Sequence, residues 1–326
     1  LSLVGSEMCI RDRAKEGLAL LNGTQLSLAL ALEGLFLAER LLDASIVAGA
    51  LTVEGLAGSH VPFDDRIQQA SHLPGQIEVA RRFRLLLTDS EIRRSHEECE
   101  RVQDPYAVRC MPQVLGAVQH TIAHARQVLG AAINGVSDNP LVFGRDVLSG
   151  GNFHAEPIGF VSDFLAIAVA ELASISERRI DLLDRRVNPN LNMFLATEPG
   201  LESGFMMAHV TAAALVSENK TYAHPASVDS LPTSAGQEDH VSMAPWAGRK
   251  LLEICANTAR VLGIELLAAA HAIDCMYPLT TTASLQLVHA LVRGQVPYQA
   301  GDRRLDREIE TLAALVRSGQ LSQFLD

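Results

Sequence analysis

Thr24-Gln-Leu-Ser-Leu-Ala-Leu-Ala-Leu-Glu-Gly-Leu-Phe-Leu-Ala-Glu-Arg-Leu-Leu42 reads as a helix that is apolar on most sides. Leu26, Leu28, Leu30, Leu32, Leu35, Phe36, Leu41 and Leu42 are interrupted by Glu33, Glu39 and Arg40. Such a helix has to be covered by other helices, and Thr24 is a residue type able to cap its first turn. A second long helix follows the loop Gly150-Gly-Asn-Phe-His-Ala-Glu-Pro157. It continues through Phe164, Ile167, Leu172, Ile175, Ile180 and Leu183, and Pro189 ends it. At 1.5 Å per residue it spans about 40 Å. Further helices are expected across Gln113 to Ile133, Gly204 to Thr221, Trp246 to Met276, Ser284 to Arg293 and Asp306 to Arg317. With 5% aromatic residues and few β-branched runs, little is suited to strands. The expected fold is all-α, a single bundle of long helices over 14–326, with function sought in the connecting loops.

Composition narrows the partners. A chain of 326 residues with 48% hydrophobic and 20% charged residues is globular, not disordered. Its net charge of -11 gives no electrostatic basis for binding nucleic acid or anionic lipid. The apolar run from Val261 to Leu279 is broken by Glu265, His271 and Asp274, so no membrane span is expected. Cys9, Cys99, Cys110, Cys255 and Cys275 are scattered and odd in number, as suits reduced thiols in a cytoplasmic protein. Leu1 to Arg13 lacks the basic start and apolar core of a secretory signal.

Four segments carry polar chemistry. Gln103-Asp-Pro-Tyr106 with Arg109 offers a guanidinium suited to a carboxylate and a phenol able to move a proton, or else a capped turn with a surface arginine. Ser149 through Pro157 sets two glycines before Asn152, Phe153 and His154, which permits close backbone approach to a ligand, but it lacks phosphate-loop spacing. Gln237-Glu-Asp-His240 reads as acid/base groups, metal ligands or a solvated acidic turn. Neighbouring side chains diverge, which makes a metal the weakest of these readings. His120 and His124 share a helical face without the glutamate of a zinc-protease motif and are read as ordinary helix-surface or packing histidines. Glu177 through Arg186 reads as a salt-bridged helix face, and Phe205, Met206 and Met207 as packing between helices. No metal is expected.

Together the loops resemble one family closely, the histidine ammonia-lyases of the aromatic amino-acid ammonia-lyase group. The resemblance rests on Leu20 to Gln25, Pro62 to Ile67, Pro74 to Gln76, Gln103 to Cys110, Ser137 to Leu141, Ser149 to Pro157 and Val216 to Met243. It covers the chain from about Ala14, while 1–13 matches nothing in the family and is set apart as foreign sequence. It implies the fumarase and aspartase type of helical fold, and a homotetramer whose active sites are shared between subunits. The implied reaction is non-oxidative elimination of ammonia from L-histidine to give urocanate. The implied prosthetic group is a methylidene-imidazolone made from an internal Ala-Ser-Gly, with no metal or nucleotide. That tripeptide is absent from the 326 residues. The resemblance therefore implies the C-terminal part of such an enzyme, inactive as written.

Carried over residue by residue, Arg109 anchors the substrate carboxylate. Asn22, Gln103 and Tyr106 hydrogen-bond the electrophile and the amino-acid end of the substrate, and Phe153 covers the electrophile. Gln237 and Glu238 face the substrate, with Glu238 at the imidazole or the amine, while Asn139 and His154 support. Gly236 stands where the family usually has Asn, Ala244 where it usually has Gly, and Val187 to Phe194 fits the usual loop poorly. Alternatives are a phenylalanine or tyrosine ammonia-lyase or aminomutase of the same group, or a non-catalytic helical assembly protein.

Overall fold

The computed structural model describes residues 15–97 and 102–325. The set-apart tail 1–13, Cys9 and Cys99 lie outside the described residues. In chain order the elements are α1 (Glu16–Asn22), α2 (Gln25–Gly55), α3 (Asp65–Ser71), α4 (Pro74–Leu86), α5 (Glu91–Arg94), α6 (Tyr106–Arg109) and α7 (Met111–Ala132). A hairpin of β1 (Leu141–Phe143) and β2 (Asp146–Leu148) follows. Then come α8 (Glu156–Asp184), α9 (Met206–Tyr222), α10 (Ala244–Asp274), α11 (Ala283–Gln295) and α12 (Asp306–Ser318).

The leucine-rich stretch is the first half of α2. Its second half, from Ala44 to Gly55, is wholly buried, as is α10 from Val261 to Ile273. Leu35, Leu41 and Leu42 are buried as the sequence suggests, but Leu26 and Phe36 are exposed, so the start of α2 keeps an open apolar side. Thr24 stands at the N-cap without capping through its side chain. Its backbone (φ -93°, ψ 8°) is not in the extended conformation that turns a cap hydroxyl toward the first amides.

Helices α2, α8 and α10 form the centre of the bundle, flanked by α7, α9 and α12. All three run in the same direction. Along α10 and α8, Lys250 meets Asp163, the Thr258 hydroxyl meets the Val169 carbonyl, and Glu265 meets Arg179. Along α10 and α2, Leu251 faces Gly34, Glu265 meets Thr52, and Ala272 faces Gly55. Between α4 and α7 the approach is close enough to need glycine on both sides. A Cβ on Gly75 would lie 2.4 Å from the Gly116 carbonyl oxygen. His120 accepts the Gly75 amide at 2.9 Å, so it is tied to the start of α4.

An ion pair lies fully buried in the apolar centre. Arg179 donates to Glu265 through Nε (2.5 Å) and Nη2 (2.7 Å), while Thr52 and Ser176 donate to the two carboxylate oxygens at 2.8 and 2.6 Å. Arg179 therefore departs from the solvated helix face read from its charged neighbours. Arg178, Asp181 and Arg185 do form that face. By length and composition alone α8 is apolar enough to cross a membrane, but 67% of that stretch is buried inside the protein. The strands of the hairpin are short and mostly exposed. Phe205 is buried and Met207 exposed.

At the end of α8, neither carboxylate oxygen of Asp184 has a hydrogen-bond partner among the described residues, and His209 Nδ1 lies 3.7 Å away. Burial pushes this carboxyl up to about 7, against a smaller pull from His209. The folded chain therefore holds a proton that the unfolded chain releases near pH 4, and Asp184 lowers stability as pH rises from about 4 to 7. Asp184→Asn is expected to gain stability relative to the parent across that window, up to a few kcal/mol at about 1.4 kcal/mol per pKa unit. Burial and then Arg293 hold His271 down at about 4, which gives the opposite slope, but it is present in both proteins and cancels. Urea unfolding at pH 5 and pH 8 measures the difference, and an equal gain at both would show Asp184 ionised throughout.

Candidate active site

Because α2, α8 and α10 run in parallel, the loops that precede them meet at one end of the bundle. Asn22 at the end of α1 precedes the first of these helices, Phe153 and His154 the second, and Gln237 and Glu238 the third. The turn after α7 reaches the same end and links them. Ser137 Oγ accepts the Thr24 amide at 3.2 Å, and the Lys15 ammonium donates to Asp138 at 2.6 Å and to the Pro140 carbonyl at 2.9 Å. Lys15 and the Asn139 amide hold the Asp138 carboxyl below the usual range. Asn139 Oδ1 accepts the Gly150 amide at 2.6 Å and the Ser149 hydroxyl at 3.3 Å, and Asn152 donates to the Val136 carbonyl at 3.1 Å. Asn139 is thus a clamp on the glycine loop. His154 Nε2 lies 3.2 Å from the His240 carbonyl oxygen, joining the loop before α8 to the loop before α10.

The loop of Gln237 and Glu238 turns through Ser234, Ala235 and Gly236, all at positive φ, and Thr233 donates to the Glu238 carbonyl at 2.9 Å. Gly236 has φ +89° with open space where a Cβ would point. The glycine suits the turn itself, and Asn is the other residue type that tolerates left-handed backbone. Ala244 is buried at the start of α10, where its Cβ lies over the space left by Gly159.

Sequence reading missed what anchors this loop. Lys250, buried on α10, meets Asp163 on α8 at 2.7 Å and donates to the His224 carbonyl. Asp163 also accepts the Ala226 and Ser227 amides at 3.1 and 2.8 Å. Burial pushes the Asp163 carboxyl up, but Lys250 and these amides outweigh it and hold it below the usual range. Both residues were detectable as single charges within apolar helical faces.

Gln103, Tyr106 and Arg109 lie elsewhere. Tyr106 opens α6 and Arg109 closes it, immediately before α7 begins, and the guanidinium carbon sits 4.6 Å from the Tyr106 ring centroid. Arg109 Nε is buried with no partner among the described residues, whereas the Tyr106 ring is 71% exposed. Gln103 lines a cavity of about 230 Å³ with His60, Arg93 and His96. The 22 residues of α7 put about 33 Å between Tyr106 and Arg109 at its start and the Ser137 turn at its end. No hydrogen bond among the described residues joins Tyr106 or Arg109 to Asn22, Phe153 or Glu238. One chain therefore presents the candidate residues in two groups at opposite ends, and Asn22, Gln103, Tyr106, Phe153, Gln237 and Glu238 are all exposed on it.

This fold, a bundle built on long central helices with few strands, is that of the aromatic amino acid lyases. The profile of that family matches residues 6–294, and the chain belongs to it. Its curated relatives include the histidine ammonia-lyases of Pseudoalteromonas atlantica and Rhodospirillum rubrum, each 54% identical. They cover 95% and 94% of this chain, which spans 62% and 61% of their own lengths. The crystal structure of histidine ammonia-lyase from Trypanosoma cruzi superposes with a TM-score of 0.89 at 42% identity, over 97% of this chain and 60% of that one. A tyrosine aminomutase from Streptomyces globisporus superposes equally well, at 0.90, with 33% identity over 97% of this chain and 64% of that one.

Proposed function

We propose that this chain supplies part of a histidine ammonia-lyase, which eliminates ammonia from L-histidine without oxidation and leaves urocanate. The observation that carries this reading is the division of the site residues between opposite ends of one chain, in a protein 54% identical to histidine ammonia-lyases. Groups about 33 Å apart cannot hold one amino acid, whereas copies packed end against end bring Arg109 and Tyr106 of one beside Phe153 and Glu238 of another. The reading therefore includes a homotetramer with shared sites. The apolar furrow of about 710 Å³ between α7 and α8, where Phe164 and Ile167 stand exposed, favours such packing. The same reading places the protein in the cytoplasm with Cys110, Cys255 and Cys275 as free thiols.

Within a shared site, Arg109 pairs with the substrate carboxylate, and its buried, unpartnered Nε fits an anion brought from outside the chain. The methylidene-imidazolone supplies, when bound, an electrophile that turns the α-amino group into a leaving group. The residues present fit it: the Asn22 amide and Tyr106 phenol are exposed and donate no hydrogen bond among the described residues, so both are available to hold it. Phe153 excludes water from above. Glu238 orients the imidazole or moves a proton at the amine.

The test is a fusion. The purified chain alone is expected to form no urocanate from histidine. Joining the N-terminal part of the Pseudoalteromonas atlantica relative upstream of Ala14 is expected to give urocanate and ammonia in equal amounts. A folded fusion that deaminates phenylalanine or tyrosine but not histidine would overturn the substrate, and one inert toward all three would overturn the reaction.

A further inference from the structure

The bundle end that carries Phe153 and Glu238 holds a second set of groups, and we infer that His154, Glu156 and His240 form a site for one divalent transition-metal ion of the zinc type. The nitrogen and oxygen atoms these three side chains offer all lie within 4.8 Å of one another. Neighbours in sequence cannot converge on an ion, but these are not neighbours. His154 and Glu156 flank Ala155 at the start of α8, and His240 arrives from 86 positions beyond His154.

The His154 ring is already oriented. Its Nε2 lies 3.2 Å from the His240 carbonyl oxygen, and a carbonyl only accepts, so Nε2 carries a proton, which leaves Nδ1 as the nitrogen that can face an ion. Metal-binding histidines are commonly held in this way, with the second ring N–H donating to a backbone carbonyl. Nδ1 points toward Glu156 Oε2 at 3.8 Å, and that oxygen is buried with no hydrogen-bond partner among the described residues. A proton or a metal ion can lie between this nitrogen and this oxygen, but at 3.8 Å the pair is longer than a direct hydrogen bond and is spaced closer to two ligands of one ion. The His240 ring stacks on His154 with centroids 5.6 Å apart, and being exposed it is free to rotate a nitrogen inward.

The magnitudes agree. Bonds of about 2.0–2.1 Å in a tetrahedral site place ligand atoms about 3.3 Å apart, so the Nδ1 to Oε2 gap of 3.8 Å has to close by about half an ångström and the widest separation of the three, within 4.8 Å, by at most about 1.5 Å through rotation of the exposed His240 ring. Two imidazoles and one carboxylate suit zinc with an open fourth position for water, and are too nitrogen-rich for calcium or magnesium. The ion would pin the loop before α8 to the loop before α10, one residue from Phe153 and two from Glu238.

The test uses the chelator-stripped chain titrated with Co²⁺, followed by its visible d–d absorption, and then with Zn²⁺ in competition. One equivalent is expected to bind per chain, with Zn²⁺ displacing Co²⁺. His154→Asn, Glu156→Gln and His240→Asn should each weaken binding by at least the ~10–100-fold that losing even a ligand's supporting partner costs. The double variant His120→Asn/His124→Asn, which alters the other histidine pair, should leave binding unchanged. A parent chain that takes up no Co²⁺, or three variants that bind it as the parent does, would overturn the site. Far-ultraviolet circular dichroism checks each fold. Should the His154 and Glu156 variants unfold, the exposed His240→Asn decides: retained affinity rejects the site and lost affinity upholds it.

Discussion

Arg179→Leu is expected to cost about 3–5 kcal/mol of folding stability, because it strands the Glu265 carboxylate in the centre of the bundle with only two hydroxyls as partners. Both members of the pair are fully buried, so neither charge is screened by water. Glu265→Leu should cost a similar amount, since it leaves the guanidinium without a counter-charge. The double variant Arg179→Met/Glu265→Leu should recover most of that loss, as an apolar pair of similar volume avoids the desolvation that an ion pair only partly offsets. Urea unfolding of the three variants at pH 7 measures this. Single variants that lose less than about 1 kcal/mol would show that water reaches the pair and that it does not hold the three central helices together.

The second large effect belongs to the fusion that tests activity. Arg109→Lys keeps the charge but loses the planar fork, and kcat/KM is expected to fall by about 1.5–3 kcal/mol, roughly 10- to 150-fold, for every amino acid tested. Glu238→Gln keeps the size but removes charge and basicity, so its loss should be largest for histidine and smaller for phenylalanine. Comparing kcat/KM for the two substrates with each variant separates the roles. Equal losses with Glu238→Gln would mean that Glu238 does not read the imidazole, and the choice of histidine would then rest on sequence identity alone.

Much of the fold was legible in the sequence because α2, α8 and α10 are long and consistently apolar, and the expected spans of α7, α9, α11 and α12 differ from the observed ones by only a few residues. The hairpin was not legible: Leu141 to Leu148 is too short and too exposed to leave a burial alternation. Arg179 was hidden by its charged neighbours, although it falls four residues after Ile175 and four before Leu183, on the face that faces inward. The candidate residues were legible as polar types near the ends of the long helices. Which of them share an end was not legible from spacing, although the resemblance implied sites shared between subunits, because spacing along a chain carries no information about which way each helix points. Only the packing of α2, α8 and α10, and the length of α7, reveal that Asn22 and Glu238 share an end while Arg109 lies at the other.

The two buried ion pairs between α8 and α10 also act as mechanical keys. Asp163 and Arg179 sit about 24 Å apart along α8, and each meets one partner on α10, Lys250 and Glu265. Apolar surfaces alone tolerate sliding by one helical turn, about 5.4 Å, with modest loss of contact. Two charged keys at separate heights do not, because a slip would break both pairs at once and strand four charges. Rotation of either helix is blocked for the same reason. The ends of these helices are therefore held at a fixed relative height, and the loops bearing Phe153 and Glu238 inherit that alignment from residues buried well below them.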